Sequence, residues 1–190
     1  MTGTKTPYLG ELTSKLPPGA RILDYGCGIG SDGLALLEAG YEVEFADFDN
    51  PSTRYLRWRL ARRGLDVPVH DLDAGVPGGF DGAYAFDVLE HLTDPVAVLE
   101  QIEQRTALVC VNLLEPAEDE PAVHHTLPIG GLLRRIARFE LVGYRIYHGR
   151  SHLLTYRPVV ARGAALLASR ARLVAGRARR GGAALGSRRG

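Results

Sequence analysis

From Arg21 to Arg105 short apolar runs alternate with amphipathic segments, and this alternation constrains the fold more than any other feature of the chain. Parallel strands cannot be joined by a tight turn and need a crossover, usually a helix, so the pattern predicts βαβ units. Strands are expected at Arg21–Tyr25, Glu42–Ala46, Val67–His70, Phe80–Phe86 and Ala107–Val111. The last is apolar at every position, as a strand buried on both faces should be. One intervening helix starts with Ser31 or Asp32 as its cap, carries Leu34, Leu36 and Leu37, and stops at Gly40. A second opens at Asn50-Pro51 and closes at Gly64, with Trp58 expected to pack it onto the sheet. A third opens at Asp94-Pro95 and carries Val96, Leu99 and Ile102. Leu132–Arg138 reads as a further helix, and the β-rich runs Phe139–His148 and Ser151–Arg157, joined by Gly149-Arg150, read as a closing antiparallel hairpin.

With 190 residues there is room for one domain and a modest tail. Hydrophobic residues make up 45% and charged residues 24%, the balance of a water-soluble globular protein. No apolar run approaches the roughly 20 residues of a membrane span. Met1–Gly10 lacks the apolar centre of a signal peptide, so the expected location is the cytoplasm. Two cysteines, Cys27 and Cys110, are too few for a disulfide framework and read as structural. The net charge of +1 hides a division. Up to Glu140 there are 22 acidic and 12 basic residues, whereas from Leu141 onward there are 11 arginines and no acid. The expected organisation is a domain over 1–158 and an Arg/Ala/Gly-rich basic tail over 159–190, partly helical or disordered.

Asp24-Tyr25-Gly26-Cys27-Gly28-Ile29-Gly30-Ser31-Asp32-Gly33 lies between the first strand and the first of these helices. Glycines there let the backbone approach a ligand closely, and the following helix N-terminus favours an anionic group. A tight turn with nothing bound accounts for one or two glycines, not three in alternation. Acids at successive strand ends sharpen the pattern. Asp24 lies two residues before the first glycine, where a carboxylate can orient the loop or meet an ammonium through water. Asp47 follows it by 23 residues at the end of the second strand, where it can accept hydrogen bonds from ribose hydroxyls. Asp71 follows the third strand and can accept from an adenine amino group, with Leu72 packing on the ring.

Residues 21–114 resemble a class I S-adenosylmethionine-dependent methyltransferase of the small type 11/12 sort. The matching stretches are Leu23-Asp24-Tyr25-Gly26-Cys27-Gly28-Ile29-Gly30, Phe45-Ala46-Asp47, His70-Asp71-Leu72, Phe80-Asp81-Gly82-Ala83-Tyr84 and Asp87-Val88-Leu89-Glu90-His91-Leu92-Thr93-Asp94-Pro95. The resemblance implies a doubly wound, Rossmann-like sheet of seven strands, mostly parallel, with helices on both faces and the C-terminal strand antiparallel. It implies S-adenosylmethionine as cofactor, with S-adenosylhomocysteine as product. Gly26, Gly28 and Gly30 would bracket the methionine end, Asp47 would hold the ribose, and Phe48 would lie against the adenine. Asp71 would reach the adenine amino group, and the backbone near Ala85 and Phe86 would meet the methionine amine. Phe48-Asp49-Asn50 departs from the family's pattern, and Asp49 competes with Asp47 for the ribose.

Methyl transfer to a hydroxyl needs alignment of the acceptor and removal of its proton, for which histidine is suited. His91, just after the fourth strand, is set either to border the acceptor pocket or to fix a turn. His124 and His125, in the loop after the fifth strand, overhang the carboxyl-end crevice and are alternative bases or solvated loop residues. His148 and His152 flank the hairpin turn and are expected to pair across it, without carboxylate or cysteine ligands at metal spacing, so no metal is expected. Tyr8 is a candidate lid over the cofactor. The resulting expectation is O-methylation of a small-molecule hydroxyl. The alternatives are a nicotinamide-dependent reductase, which shares the Gly28–Gly33 pattern but not Asp24 or the hairpin, and a non-catalytic methyltransferase-like partner subunit. In the tail, Val159, Val160, Leu166, Leu167, Leu173 and Val174 suggest a helical stripe, though Arg170 and Arg177 fall in the same arc. An anionic surface or a partner is its expected contact, and specific nucleic-acid binding is not expected.

Overall fold

Seven strands form one sheet in the order β3-β2-β1-β4-β5-β7-β6. The computed structural model describes residues 5–116 and 125–186. The strands are β1 (Arg21–Tyr25), β2 (Glu42–Asp47), β3 (Val69–Asp71), β4 (Gly82–Ala85), β5 (Val109–Leu114), β6 (Phe139–Tyr147) and β7 (Ser151–Val160). Helices α1 (Thr6–Thr13), α2 (Ser31–Glu38), α3 (Pro51–Arg62), α4 (Pro95–Glu103), α5 (Ile129–Ile136) and α6 (Gly163–Gly186) accompany them. The first five strands are parallel, and β7 runs antiparallel between β5 and β6.

Alternate residues of each strand feed two separate cores. Leu23, Ala83, Val109, Val111 and Leu154 join the core that includes Leu99 of α4 and Ile136 of α5. Ile22, Tyr84, Cys110 and Leu153 join the opposite core with Leu12 of α1, Leu34 of α2 and Leu56 of α3. Helices therefore cover both faces, and the strand order reverses between β1 and β4, which opens a crevice at their carboxyl ends.

Several boundaries differ from those the sequence predicts. Asn50 and Asp94 cap α3 and α4 as expected, but α2 is capped by Gly30 in the left-handed region, with no side-chain bond from Ser31 or Asp32. Trp58 does not pack α3 onto the sheet. Thr53, Leu56 and Leu60 do that, and Trp58 stands 55% exposed, stacked on Tyr55. Val159 and Val160 belong to the end of β7 rather than to a helical stripe, so a boundary after residue 158 would cut the last strand. Beyond it, α6 lies along β6, the edge strand. The Ser169 hydroxyl accepts from the Leu141 N–H at 3.0 Å and donates to the Phe139 carbonyl at 3.0 Å, while Arg172 donates to the Leu141 carbonyl at 2.8 Å. The helix thus satisfies polar groups that a sheet edge otherwise leaves open. Ser169→Ala should lower stability by about 1–3 kcal/mol, the cost of leaving a buried N–H unpaired. Denaturant titration measures this, with the exposed Arg170→Ala as a control expected within about 0.5 kcal/mol of the parent.

Candidate active site

The loop between β1 and α2 crosses the end of β2. The N–H groups of Gly26 and Cys27 both donate to the Ala46 carbonyl, at 2.8 and 3.2 Å. One Asp47 carboxylate oxygen then accepts the Gly28 N–H at 2.8 Å, and the other accepts the Phe48 N–H at 2.8 Å. Gly26, Gly28 and Gly30 all adopt left-handed φ values, of 71°, 52° and 69°. A side chain at Gly26 would strike Val88, and one at Gly30 would strike Leu56 and Phe45, so those two glycines serve the protein's own packing. At Gly28 an added Cβ would meet nothing within 4 Å. Next to the carboxylate that grips it, this glycine faces open space.

The acids predicted at the strand ends converge with it. Asp47 pairs in register with Asp71 across β2 and β3, and the Leu72 N–H donates to the Asp47 carbonyl at 3.1 Å. Asp47, Phe48, Asp71 and Leu72 therefore gather on one rim of the crevice, with the Phe48 ring half exposed. Asp49 is engaged elsewhere, in ion pairs with Arg54 at 3.4 Å and Arg57 at 3.1 Å.

On the other side of the loop lies a cluster of charge. Asp24 is buried, and burial pushes its carboxyl up to about 7, against the opposing pull of Lys5 and of the Gly33 N–H. The buried Tyr84 hydroxyl lies against that carboxyl without meeting hydrogen-bond geometry. Lys5 reaches over from the start of α1. Its ammonium stands 3.5 Å from both Asp32 and Asp87 and donates to the Phe86 carbonyl at 3.5 Å. Asp87, immediately after Phe86, has φ 55°, uncommon for a residue with a side chain. Asn112 of β5 holds it there, accepting the Asp87 N–H at 2.8 Å and donating to its carboxylate at 2.9 Å. Asn112 also donates to the Ser151 hydroxyl at 3.3 Å, and Ser151 accepts the Tyr8 hydroxyl at 2.7 Å. Tyr8 packs edge-on against Phe86, so α1 forms a cover at the ends of β4 and β5, where the sequence suggests a lid. Lys5, Asp87, Asn112 and Ser151 were not expected at the site. One signal in the sequence points to the set: Asn112 is the single polar residue in a strand that is otherwise apolar.

The histidines divide. His91 ends a single 3-10 turn, Leu89–His91, and is exposed. The His125 N–H donates to the Glu90 carbonyl at 2.6 Å, so the returning loop brings His125 beside His91's neighbour. His124 lies outside the described residues. His152 is 2% exposed, with its ring between the Tyr144 hydroxyl at 2.6 Å and Glu115 at 2.8 Å. His152 therefore does not pair with His148 across the hairpin. Its cross-strand partner is Ile146, and His148 sits in the turn with φ 51°. Among the described residues no group of three His, Cys, Asp or Glu side chains is placed to hold a metal ion. Likewise, no described helix is long and apolar enough to cross a membrane. Burial raises the thiols of Cys27 and Cys110, the latter to about 12, so neither is poised as a nucleophile.

Comparison with known proteins bears on the fold and the family. The chain is 33% identical over 104 residues to a ubiquinone biosynthesis O-methyltransferase of Xanthomonas campestris pv. campestris, a match covering 52% of this chain. It spans about 40% of the length of that relative. Among solved structures, magnesium protoporphyrin IX methyltransferase from Synechocystis with bound SAM superposes with a TM-score of 0.66 at 18% identity, covering 81% of this chain and 77% of that one. The [4+2]-cyclase SpnF gives a TM-score of 0.69 at 19% identity, covering 82% and 80%. Likeness at that identity establishes the fold and leaves the reaction to the site. The family described as a methyltransferase domain matches residues 5–147, from the lysine in the acidic cluster to the end of β6, and the chain belongs to it.

Proposed function

We propose that the chain, working in the cytoplasm, transfers a methyl group from S-adenosylmethionine to a hydroxyl of a small molecule. The observation that carries this reading is the grip of Asp47 on Gly28, which places a carboxylate beside a glycine whose outer face is open. The residues present fit the cofactor. Asp47 has a lone pair left to accept a ribose hydroxyl, and Phe48 and Leu72 offer apolar surface for a base with Asp71 at its edge. The Phe86 carbonyl, Asp32 and Asp87, where the Lys5 ammonium stands, offer acceptors for an ammonium, and the family resemblance assigns the backbone of Gly26, Gly28, Gly30 and Ala85 to the methionine end.

When bound, the cofactor supplies a methyl carbon already activated by its sulfonium charge. The chain's own contribution is then alignment, exclusion of water by α1 and its Tyr8, and removal of the acceptor's proton. We assign that last step to His91 or His125, which meet at Glu90 on the rim of the crevice, with His124 as the third candidate. The relatives named as O-methyltransferases support oxygen as the acceptor atom.

Calorimetric titration with S-adenosylmethionine, S-adenosylhomocysteine and NADPH tests the reading. Saturable binding of the first two and none of the third is expected. Binding of NADPH alone would overturn it. With binding established, methyl transfer to a panel of phenols and aliphatic hydroxyls should fall about a hundredfold or more in either His91→Ala or His125→Ala, the scale of a lost general base.

A further inference from the structure

α6 has two unlike faces. One carries Ser169, Arg172, Leu173 and Gly176 and is turned to β6, through the edge bonds already described and the contact of Gly176 with the Tyr144 ring. The opposite face carries Ala164, Leu167, Ala171, Val174 and Ala178, all exposed, with Leu167 at 68% and Val174 at 69%. Their spacing of three and four residues makes one continuous apolar seam along the helix. Val159 and Val160, 62% and 60% exposed, extend apolar surface at its foot. Arg170 and Arg177 stand exposed along one flank of the seam, and no acidic residue occurs anywhere from Leu141 onward.

We propose that this face of α6 docks the protein on an anionic phospholipid bilayer. Apolar side chains with arginines beside them suit an interface where the seam enters the acyl boundary and the guanidinium groups reach the phosphates. The charge division gives the docking a direction. Residues up to Glu140 carry ten more acids than bases, so the body is repelled by the surface that attracts the helix. Pairing of α6 with α6 of a second copy is the competing use of such a seam. That arrangement leaves Arg170 and Arg177 with no acidic partner at the flanking positions, where only alanines, Ala168 and Ala175, complete the set. The proposal does not depend on the methyltransferase reading, and its test does not use activity.

The full chain is mixed with vesicles of equal parts phosphatidylglycerol and phosphatidylcholine, or of phosphatidylcholine alone, and sedimented at 50 mM and 500 mM salt. Association with the anionic vesicles alone is expected, strongest at low salt. Arg170→Gln/Arg177→Gln should weaken the partition about thirtyfold, taking the usual gain per basic residue at an anionic surface. Leu167→Ser/Val174→Ser should remove the fraction that survives high salt. Both pairs face solvent, so thermal unfolding should match the parent and confirm that the fold is intact. The proposal is overturned if the parent stays in the supernatant with anionic vesicles, or if both variants sediment as the parent does. It is equally overturned if Leu167→Ser/Val174→Ser converts a dimer to a monomer in gel filtration while vesicles are ignored, or if polyuridylic acid is retained and vesicles are not.

Discussion

Asp47→Ala is expected to weaken S-adenosylmethionine and S-adenosylhomocysteine binding by about a hundredfold or more, while Asp49→Ala changes it less than twofold. The difference rests on where the two carboxylates are committed. Asp47 uses one oxygen on the Gly28 N–H and the other on the Phe48 N–H. The oxygen on Phe48 also accepts from the Asn50 amide at 3.4 Å, so the oxygen on Gly28 is the one that keeps a lone pair for a ribose hydroxyl, and a hydrogen bond to a charged acceptor contributes roughly 1.5–3 kcal/mol. Removal also releases Gly28, while Gly26 and Cys27 stay bonded to the Ala46 carbonyl, so the loop loses its alignment at the one glycine beside the acceptor. Asp49 is held by Arg54 and Arg57 on the exposed side of α3, where such pairs contribute little. Titration calorimetry on both variants decides the matter. Equal losses would assign the ribose to the pair, and a loss confined to Asp49→Ala would reverse the assignment.

The parts of this site that could be read from the sequence are those whose cause is local. Three glycines in alternation demand a backbone that other residues adopt at a cost, and acids at strand ends announce themselves by their position after apolar runs. Asp24, Asp47 and Asp71 were legible for that reason, as were the caps Asn50 and Asp94. The cluster on the other side of the loop was not. Lys5 and Asp87 are 82 residues apart, Asp87 and Asn112 are 25 apart, and Tyr8 and Ser151 are 143 apart. Only the strand order β1-β4-β5-β7 and the return of α1 across its end bring them together. Helix α1 itself was hidden because it buries only Tyr8 and Leu12, two residues four apart, too few to mark a periodicity.

The tail was hidden by a different physical cause. A helix that covers a sheet face buries large apolar residues, and its stripe is visible. A helix that covers a sheet edge satisfies backbone groups, so its inward residues are polar or small. In α6 these are Ser169, Arg172 and Gly176, with Leu173 the one large apolar residue among them, and its exposed residues include Leu167 and Val174. Hydropathy read alone therefore places Leu173 correctly but turns Leu167 and Val174 to the wrong side. The same inversion leaves a seam facing water and free for a surface to cover. His152 shows the converse: its place beside the hairpin turn suggests pairing with His148, but the β5-β7-β6 register sets it opposite Ile146, between Tyr144 and Glu115 in the sheet.

Replacing Asp24 by asparagine should stabilise the protein at neutral and alkaline pH by up to about 4 kcal/mol, and the gain should vanish in acid. Burial raises this carboxyl from 3.8 to about 7, so between those values the folded chain keeps a proton that the unfolded chain has released. A group raised in this way contributes stability that is whole below pH 4 and is lost as the pH climbs through 7. At about 1.4 kcal/mol per unit, a shift of some three units sets the size of the effect. That shift already contains the help of Lys5 and the opposition of Asp32, so neither changes the figure further. The amide oxygen introduced by Asp24→Asn would still accept from the Gly33 N–H, and the side chain would carry no charge to bury. Urea titrations of parent and variant at pH 4, 6 and 8 measure the gap between them, which should open steadily with pH. Parallel stabilities across that range would mean that Asp24 is ionised in the folded chain throughout. A positive ligand beside the cluster pulls the carboxyl back down. In the parent, S-adenosylmethionine should therefore bind more tightly as the pH rises from 6 to 8, and Asp24→Asn should lose that dependence together with the part of the affinity that the ionised carboxylate supplies.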